Sequence, residues 1–256
     1  MKTITLRGVE IGAGMPKIIV PIVASTAEGI LAKAREFRSY RFDVVEWRVD
    51  FYEDVFDTEK VLSTLKALRA ELGDKPILFT FRTKKEGGEK EIAPDAYTAL
   101  NAAVAASGDA DAVDVEIFSG DEVVRANVAA IHAAGRIVVG SNHDFHGTPD
   151  KADLLYRLRK MQDMGADIPK IAVMPKCEAD VITLLDATQE MYVKYADRPI
   201  ITMSMGKGVI SRMCGEFFGS SMTFGAVGQV SAPGQIPVDQ LSDVLAVLHR
   251  ALAPKA

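Results

Sequence analysis

One lysine stands alone in Asp167-Ile-Pro-Lys-Ile-Ala-Val-Met-Pro175, a run that otherwise has the β-branched, apolar character of a buried strand. Burial and neighbouring cations both favour the neutral amine at such a position, and a neutral amine attacks ketones. Lys170 is therefore the leading candidate for a covalent catalyst. The competing reading is a solvated lysine that follows Pro169. The early place of Lys170 in its strand favours the first, because a stem rooted deep in a sheet carries its amine where charge is costly.

Further polar residues recur near strand ends at a spacing of two: Glu46 and Arg48, Thr80 and Arg82, Asp114 and Glu116, Ser141 and His143. Alternate residues of a strand share a face. If that face is interior, these acids, arginines, the histidine and Lys170 line one cavity, whereas a packed barrel core is normally Val, Ile and Leu. Buried ion-pair scaffolding is the plainer alternative. His143 lies in Ser141-Asn-His-Asp-Phe145, and its ordinary titration near neutrality suits proton shuttling. His146 is its nearest competitor, and His132 and His249 fall in helical stretches.

Weaker signals lie in loops. Glu86 sits in Lys84-Lys-Glu-Gly-Gly88 directly after Arg82, where a solvated charged loop is an equal alternative. Ser211-Arg-Met-Cys-Gly215 offers Arg212 to an anion. Ser231-Ala-Pro-Gly-Gln235 reads as a mobile lid with two hydrogen-bonding side chains. Gly206-Lys-Gly208 is too short for a phosphate cradle, and no Walker or dinucleotide fingerprint occurs.

The elements that must position these groups alternate. Residues 3–12 read as a hairpin turning at Arg7-Gly8, and apolar runs suited to parallel strands follow at 17–24, 43–49, 77–82, 112–118, 137–141, 168–174, 200–205 and 223–227. Amphipathic stretches at 26–38, 58–72, 94–107, 120–134, 150–165, 178–195 and 237–252 read as helices, several opening on Thr, Asp or Pro. The repeated βα unit predicts an α/β fold: a (β/α)8 TIM barrel formed by the whole chain, 1–256, as a single catalytic domain, with the N-terminal hairpin closing the bottom of the barrel. A doubly wound sheet is the runner-up.

Composition narrows the function. The hydrophobic share of 48% and charged share of 25% are those of a soluble globular protein, and the net charge of −5 with no dense basic run argues against nucleic-acid binding. Cys177 and Cys214 have neither disulfide nor zinc-ligand spacing. The N-terminal residues do not read as a secretion signal and no apolar stretch is long enough for a membrane span, so a cytoplasmic protein is expected.

Taken in order, Glu46-Trp-Arg-Val-Asp50, Phe79-Thr-Phe-Arg82, Lys85-Glu-Gly-Gly88, Asp114-Val-Glu-Ile117, Ser141-Asn-His-Asp144, Pro169-Lys-Ile-Ala-Val173, Met203-Ser-Met205, Ser211-Arg212 and Ser231-Ala-Pro-Gly-Gln235 resemble the type I 3-dehydroquinate dehydratases over nearly the whole chain. The resemblance implies a barrel that converts 3-dehydroquinate to 3-dehydroshikimate by syn elimination of water, in the shikimate pathway to aromatic amino acids. It implies Lys170 as the Schiff-base residue, His143 as the proton donor and acceptor, and Glu86 as support for His143. Substrate binding would fall to Glu46, Arg48, Arg82, Arg212, Ser231 and Gln235, with Met203 and Met205 as apolar pocket wall. Arg48 and Arg82 would help keep Lys170 neutral. No metal or organic cofactor is implied, since the lysine supplies the electron sink, and a homodimer is expected. Two departures from the relatives are the stretch from Met205 to Arg212, shorter by one residue, and Pro21, where some relatives carry a polar residue. The alternatives are an aldolase-like Schiff-base lyase and a non-catalytic sensor of quinate-type ligands.

Overall fold

The computed structural model describes residues 3–228 and 231–252. β1 (Ile4–Leu6) and β2 (Val9–Ile11) pair antiparallel as the expected hairpin, with Ile4 opposite Ile11 and Leu6 opposite Val9. The turn between them places Arg7 at φ 42° and Gly8 at φ 82°. Two successive left-handed residues are what a two-residue hairpin loop needs to match the strands' twist, and glycine adopts this geometry without steric penalty.

Eight parallel strands follow: β3 (Lys17–Ile22), β4 (Val44–Arg48), β5 (Ile77–Thr80), β6 (Ala112–Glu116), β7 (Ile137–Asp144), β8 (Ile168–Val173), β9 (Ile201–Ser204) and β10 (Met222–Ala226). From β3 to β9 each strand pairs with its successor, while β10 pairs back onto β3 and carries the short β11 (Ile236–Pro237) on its other side. The ring closes between β9 and β10, where Ile200 bridges Ser220 and the Ser221 N–H donates to the Ile200 carbonyl at 2.8 Å. The Thr202 N–H donates to Ser220 Oγ at 3.0 Å, so a side chain completes the ladder that the short strands leave open.

The helices α1 (Ala27–Phe37), α2 (Thr58–Leu72), α3 (Pro94–Ser107), α4 (Asp121–Ala133), α5 (Lys151–Asp163), α6 (Glu178–Glu190), α7 (Gly215–Phe218) and α8 (Val238–Leu252) complete a (β/α)8 barrel. Their starts follow the expected chemistry. Thr26, Asp57 and Asp150 accept hydrogen bonds from the N–H groups of Gly29, Lys60 and Asp153, and α3 opens on Pro94.

Two local differences from the sequence reading have clear causes. The strand expected to end at Ser141 continues to Asp144, because register with β8 persists from Val139–Ile168 to Asp144–Val173. Between β9 and β10 no helix was expected; a 3₁₀ segment, Gly206–Arg212, and the four-residue α7 occupy that place, too short and glycine-rich for a periodic signal.

The barrel separates two apolar regions. Outward strand residues such as Val45, Trp47, Phe79, Val113, Val115 and Ile171 pack under the helices. Inward residues Ile19, Val44, Leu78, Ala112, Val139, Ile168, Ile201 and Met222 fill the lower interior together with Leu6 and Ile11 of the hairpin. The hairpin is thus a plug, tied down by Arg7 Nε, which donates to Asp111 Oδ1 at 2.8 Å.

Candidate active site

Two residues above each apolar position of this lower floor, the same strand faces turn polar. Val44 is followed by Glu46 and Arg48, Leu78 by Thr80 and Arg82, Ala112 by Asp114 and Glu116, Val139 by Ser141 and His143, and Ile168 by Lys170. Strand parity sends all of them into the upper barrel, where Glu46, Arg48, Arg82, Asp114, Glu116, Ser141 and Lys170 are buried.

One cavity in the barrel's C-terminal mouth is lined by Lys170, His143, Glu86, Glu46, Arg48, Arg82, Arg212, Ser231, Gln235, Met203 and Met205. The eleven residues expected to carry catalysis, substrate binding or the pocket wall therefore line one cavity, whereas Thr80, Asp114, Glu116, Ser141 and His146 do not line it. Gly87, Phe145, Ala172, Phe224 and Ala232 line it as well and were not foreseen. Ala172 and Phe145 lie two residues beyond Lys170 and His143, and Phe224 two beyond the inward Met222, so parity alone would have found them.

Lys170 Nζ donates to Asp114 Oδ2 at 3.2 Å, stands 3.6 Å from Glu46 Oε1, and lies 4.9 Å above the Phe224 ring. The sequence suggests arginines as the neighbours that matter most, but carboxylates touch the amine first. Two acids therefore stand within ion-pairing reach of Nζ, and only the neutral amine attacks a carbonyl. Asp114 also accepts from Arg82 Nη2 at 2.8 Å and from Ser141 Oγ at 2.6 Å. Burial alone would raise the Asp114 carboxyl; Arg82, Lys170 and these hydrogen bonds outweigh it and hold the group below the ordinary carboxylate range.

Arg82 is shared further. Its Nη1 donates to Glu116 Oε1 at 2.8 Å and to Ser141 Oγ at 3.0 Å, and the surrounding acids overcome burial and raise its guanidinium well above the usual value. Arg48 forms a two-point fork on Asp50, with Nε to Oδ1 at 2.8 Å and Nη2 to Oδ2 at 2.7 Å. These two arginines thus reach the cavity already braced by acids.

Arg212 differs. It is 1% exposed, yet its polar contacts are Met203 Sδ at 3.5 Å from Nη1 and the Pro233 carbonyl, which accepts from Nη2 at 3.0 Å. Among the described residues its Nε has no partner and no carboxylate pairs with it. Burial pushes this guanidinium down to about 10. The Ser211 hydroxyl, which donates to the Gly208 carbonyl at 2.8 Å and accepts from the Ser204 N–H at 2.8 Å, fixes the turn that aims it.

The 231–235 loop, expected as a mobile lid, is seated over this corner. Pro233 O accepts from the Gly206 N–H at 3.1 Å as well as from Arg212, and Gln235 Nε2 donates to Ser231 Oγ at 2.9 Å. Gly234, at φ +78°, lies so close to Gly206 that a Cβ would fall 2.6 Å from its carbonyl oxygen.

Glu86 enters from the 3₁₀ turn Lys84–Glu86. Its Oε2 accepts from the His143 backbone N–H at 2.9 Å and lies 3.0 Å from His143 Nδ1; its Oε1 accepts from Asn142 Nδ2 at 3.1 Å. Burial and the facing Glu116 push the Glu86 carboxyl up to about 8, against the pull of Arg82 and Asn142. Burial, then Arg82, Lys170 and Arg48, push His143 well below its ordinary value. In the deprotonated pair, Nδ1–H donates to the Glu86 carboxylate and Nε2 keeps a free lone pair.

Among the described residues, no cluster of three or more His, Cys, Asp or Glu side chains is arranged to hold a metal ion, and no helix is long and apolar enough to cross a membrane.

Parallel strands, an outer helical ring and a charged C-terminal mouth define the class as a (β/α)8-barrel enzyme. The family described as type I 3-dehydroquinase matches residues 18–251. A 3-dehydroquinate dehydratase of Escherichia coli O7:K1 is 54% identical over 98% of this chain and 100% of its own length. A type I 3-dehydroquinate dehydratase from Clostridium difficile, solved with covalently modified comenic acid, superposes with a TM-score of 0.96 at 49% identity over 98% of this chain and 99% of that one. The 3-dehydroquinate dehydratase of Geobacillus kaustophilus does so at 0.95 and 39% identity, covering 98% of both. The chain therefore belongs to the type I 3-dehydroquinase family, and is a hydro-lyase by class.

Proposed function

We propose that this chain, acting as a single barrel domain, dehydrates 3-dehydroquinate to 3-dehydroshikimate through a Schiff base on Lys170, a step on the route to aromatic amino acids. The observation that carries the reading is a buried guanidinium, Arg212, with no acid partner among the described residues, sharing one cavity with Lys170 and the Glu86–His143 pair. A carboxylate substrate supplies the charge that Arg212 lacks, and two parallel hydrogen bonds to it would orient the ring. The match to dehydratases that share the fold over the whole chain supports the same substrate.

The chemistry follows from the groups present. Lys170, once deprotonated, adds to the ketone; loss of water from the adduct leaves an iminium, a stronger electron sink than the carbonyl. His143 Nε2 takes the proton alpha to it and leaves an enamine. The enamine expels the beta hydroxyl as protonated His143 returns a proton to it, so proton and hydroxyl leave from one face. Hydrolysis of the conjugated iminium restores Lys170, and one water is lost overall. Glu46, Arg48 and Arg82 would bind ring hydroxyls, Ser231 and Gln235 would close over them, and Met203 and Met205 would wall the imine from solvent.

The test is incubation with 3-dehydroquinate while absorbance is followed at the enone band. A steady rise is expected. No rise, with a folded protein, would remove the dehydratase reading in favour of an aldolase-like lyase or a silent sensor.

A further inference from the structure

Behind His143, away from Lys170, a second cavity is lined by Lys85, Phe118, Asn142, Asp144, His146 and Arg157, with His143 and Glu86 forming the wall between the two. The side chains across this wall form a continuous chain. Arg157 Nη1 donates to Asn142 Oδ1 at 3.0 Å, Asn142 Nδ2 donates to Glu86 Oε1 at 3.1 Å, and Glu86 Oε2 lies 3.0 Å from His143 Nδ1. A guanidinium can only donate, so the amide oxygen of Asn142 must face Arg157 and its NH2 must face Glu86. Arg157 is itself held, by Asp153 through Nη2 at 2.8 Å, by Asp144 at 3.3 Å, and over the Phe118 ring at 5.9 Å.

We propose that Asn142 and Arg157 are positioning residues for the catalytic base: they fix Glu86 as an acceptor, and thereby present His143 Nε2 to the substrate with its lone pair free. The inference rests on the dehydratase reading and adds to it the device that selects the tautomer. Above the pH at which Glu86 titrates, its carboxylate accepts from Nδ1–H; without the Asn142 donor that pH rises, and over the added range a protonated Glu86 donates to Nδ1, which leaves the imidazole hydrogen on Nε2 and removes the base. Glu86 is also faced by Arg82 at 3.7 Å, by Glu116 and by Asp114, and His143 by Arg82, Lys170 and Arg48. Of these groups, Asn142 is the uncharged donor whose removal changes no formal charge in the cavity.

The experiment is the pH profile of kcat for Asn142→Leu and Arg157→Met beside the unaltered enzyme, with KM and the borohydride-trapped mass on Lys170 measured in parallel. In Asn142→Leu the acid limb moves to higher pH by about one unit, the shift expected when a carboxylate loses one hydrogen bond. Arg157→Met moves it in the same direction by less, and KM and adduct formation are retained in both. Arg157 is half-buried and comes from α5 rather than from the barrel strands, so its variant keeps the test open if Asn142→Leu does not fold. A lower kcat with an unmoved acid limb would overturn the proposal and leave Asn142 a packing residue. A wild-type chain that yields no enone would instead bring down the dehydratase reading, and this inference with it.

Discussion

The lower and upper halves of the barrel interior are built by the same strands, two residues apart, and are chemically opposite. Below, Val44, Leu78, Ala112, Val139 and Ile168 meet the hairpin's Leu6 and Ile11 in a dry floor. Above, Glu46, Arg82, Asp114, Ser141 and Lys170 interlock by ion pairs and hydrogen bonds, while Arg212 has no acid partner among the described residues. The floor gains stability from apolar burial, whereas the upper half must offset the desolvation of several charges by pairing them. The fold can support a cavity of buried charge because its floor is plugged and its helices cover the outer face.

This contrast can be broken from either side. The largest effect is expected for His143→Ala: kcat falls by about 10²–10⁴-fold, the contribution typical of a positioned acid–base group, while mass trapped on Lys170 persists. Loss of trapping as well would make His143 a structural part of the lysine site. Asp114→Asn comes next. It leaves Arg82 and Lys170 without their shared acid, and denaturant unfolding should show a loss of about 3 kcal/mol. The sign of its pH dependence follows from the depressed Asp114 carboxyl: its contribution is complete above the unfolded value of about 3.9 and is lost as pH falls through the lower folded value. The variant should therefore show a flatter acid limb of stability than the wild type.

Ile11→Ala probes the floor. It should cost about 2–4 kcal/mol by denaturant midpoint, with kcat per folded molecule unchanged. A large fall in kcat there would mean that the two halves are coupled rather than layered. The smallest effect is expected for Arg212→Met, a rise in KM of about 10–100-fold from the loss of charge-assisted hydrogen bonds to a carboxylate, with stability held or improved because an unpaired buried cation is removed.

Much of this arrangement was legible in the sequence, because strand parity is a strict rule. Once Glu46 and Arg48 are placed inward, Arg82, Ser141, His143 and Lys170 follow from their own strands, and the Arg7-Gly8 turn identifies the hairpin. Parity says nothing about distance around a ring. Which acid touches Lys170 depends on strand stagger, and the partners proved to be Asp114 and Glu46 rather than arginines alone. The 206–218 segment, with its 3₁₀ turn and short α7, had no periodicity to read. The pinning of the 231–235 loop by Pro233 O depends on a backbone contact that side-chain types do not encode.

The central claim is that Lys170 is the covalent catalyst of a dehydratase. It is tested most directly by adding borohydride during turnover of 3-dehydroquinate and locating the added mass by peptide mapping, with Lys170→Ala in parallel. The account predicts one adduct on the Lys170 peptide in the wild type, with neither adduct nor enone product in the variant. Product formation by Lys170→Ala at a rate near the wild type's, or an adduct on another lysine, would contradict it.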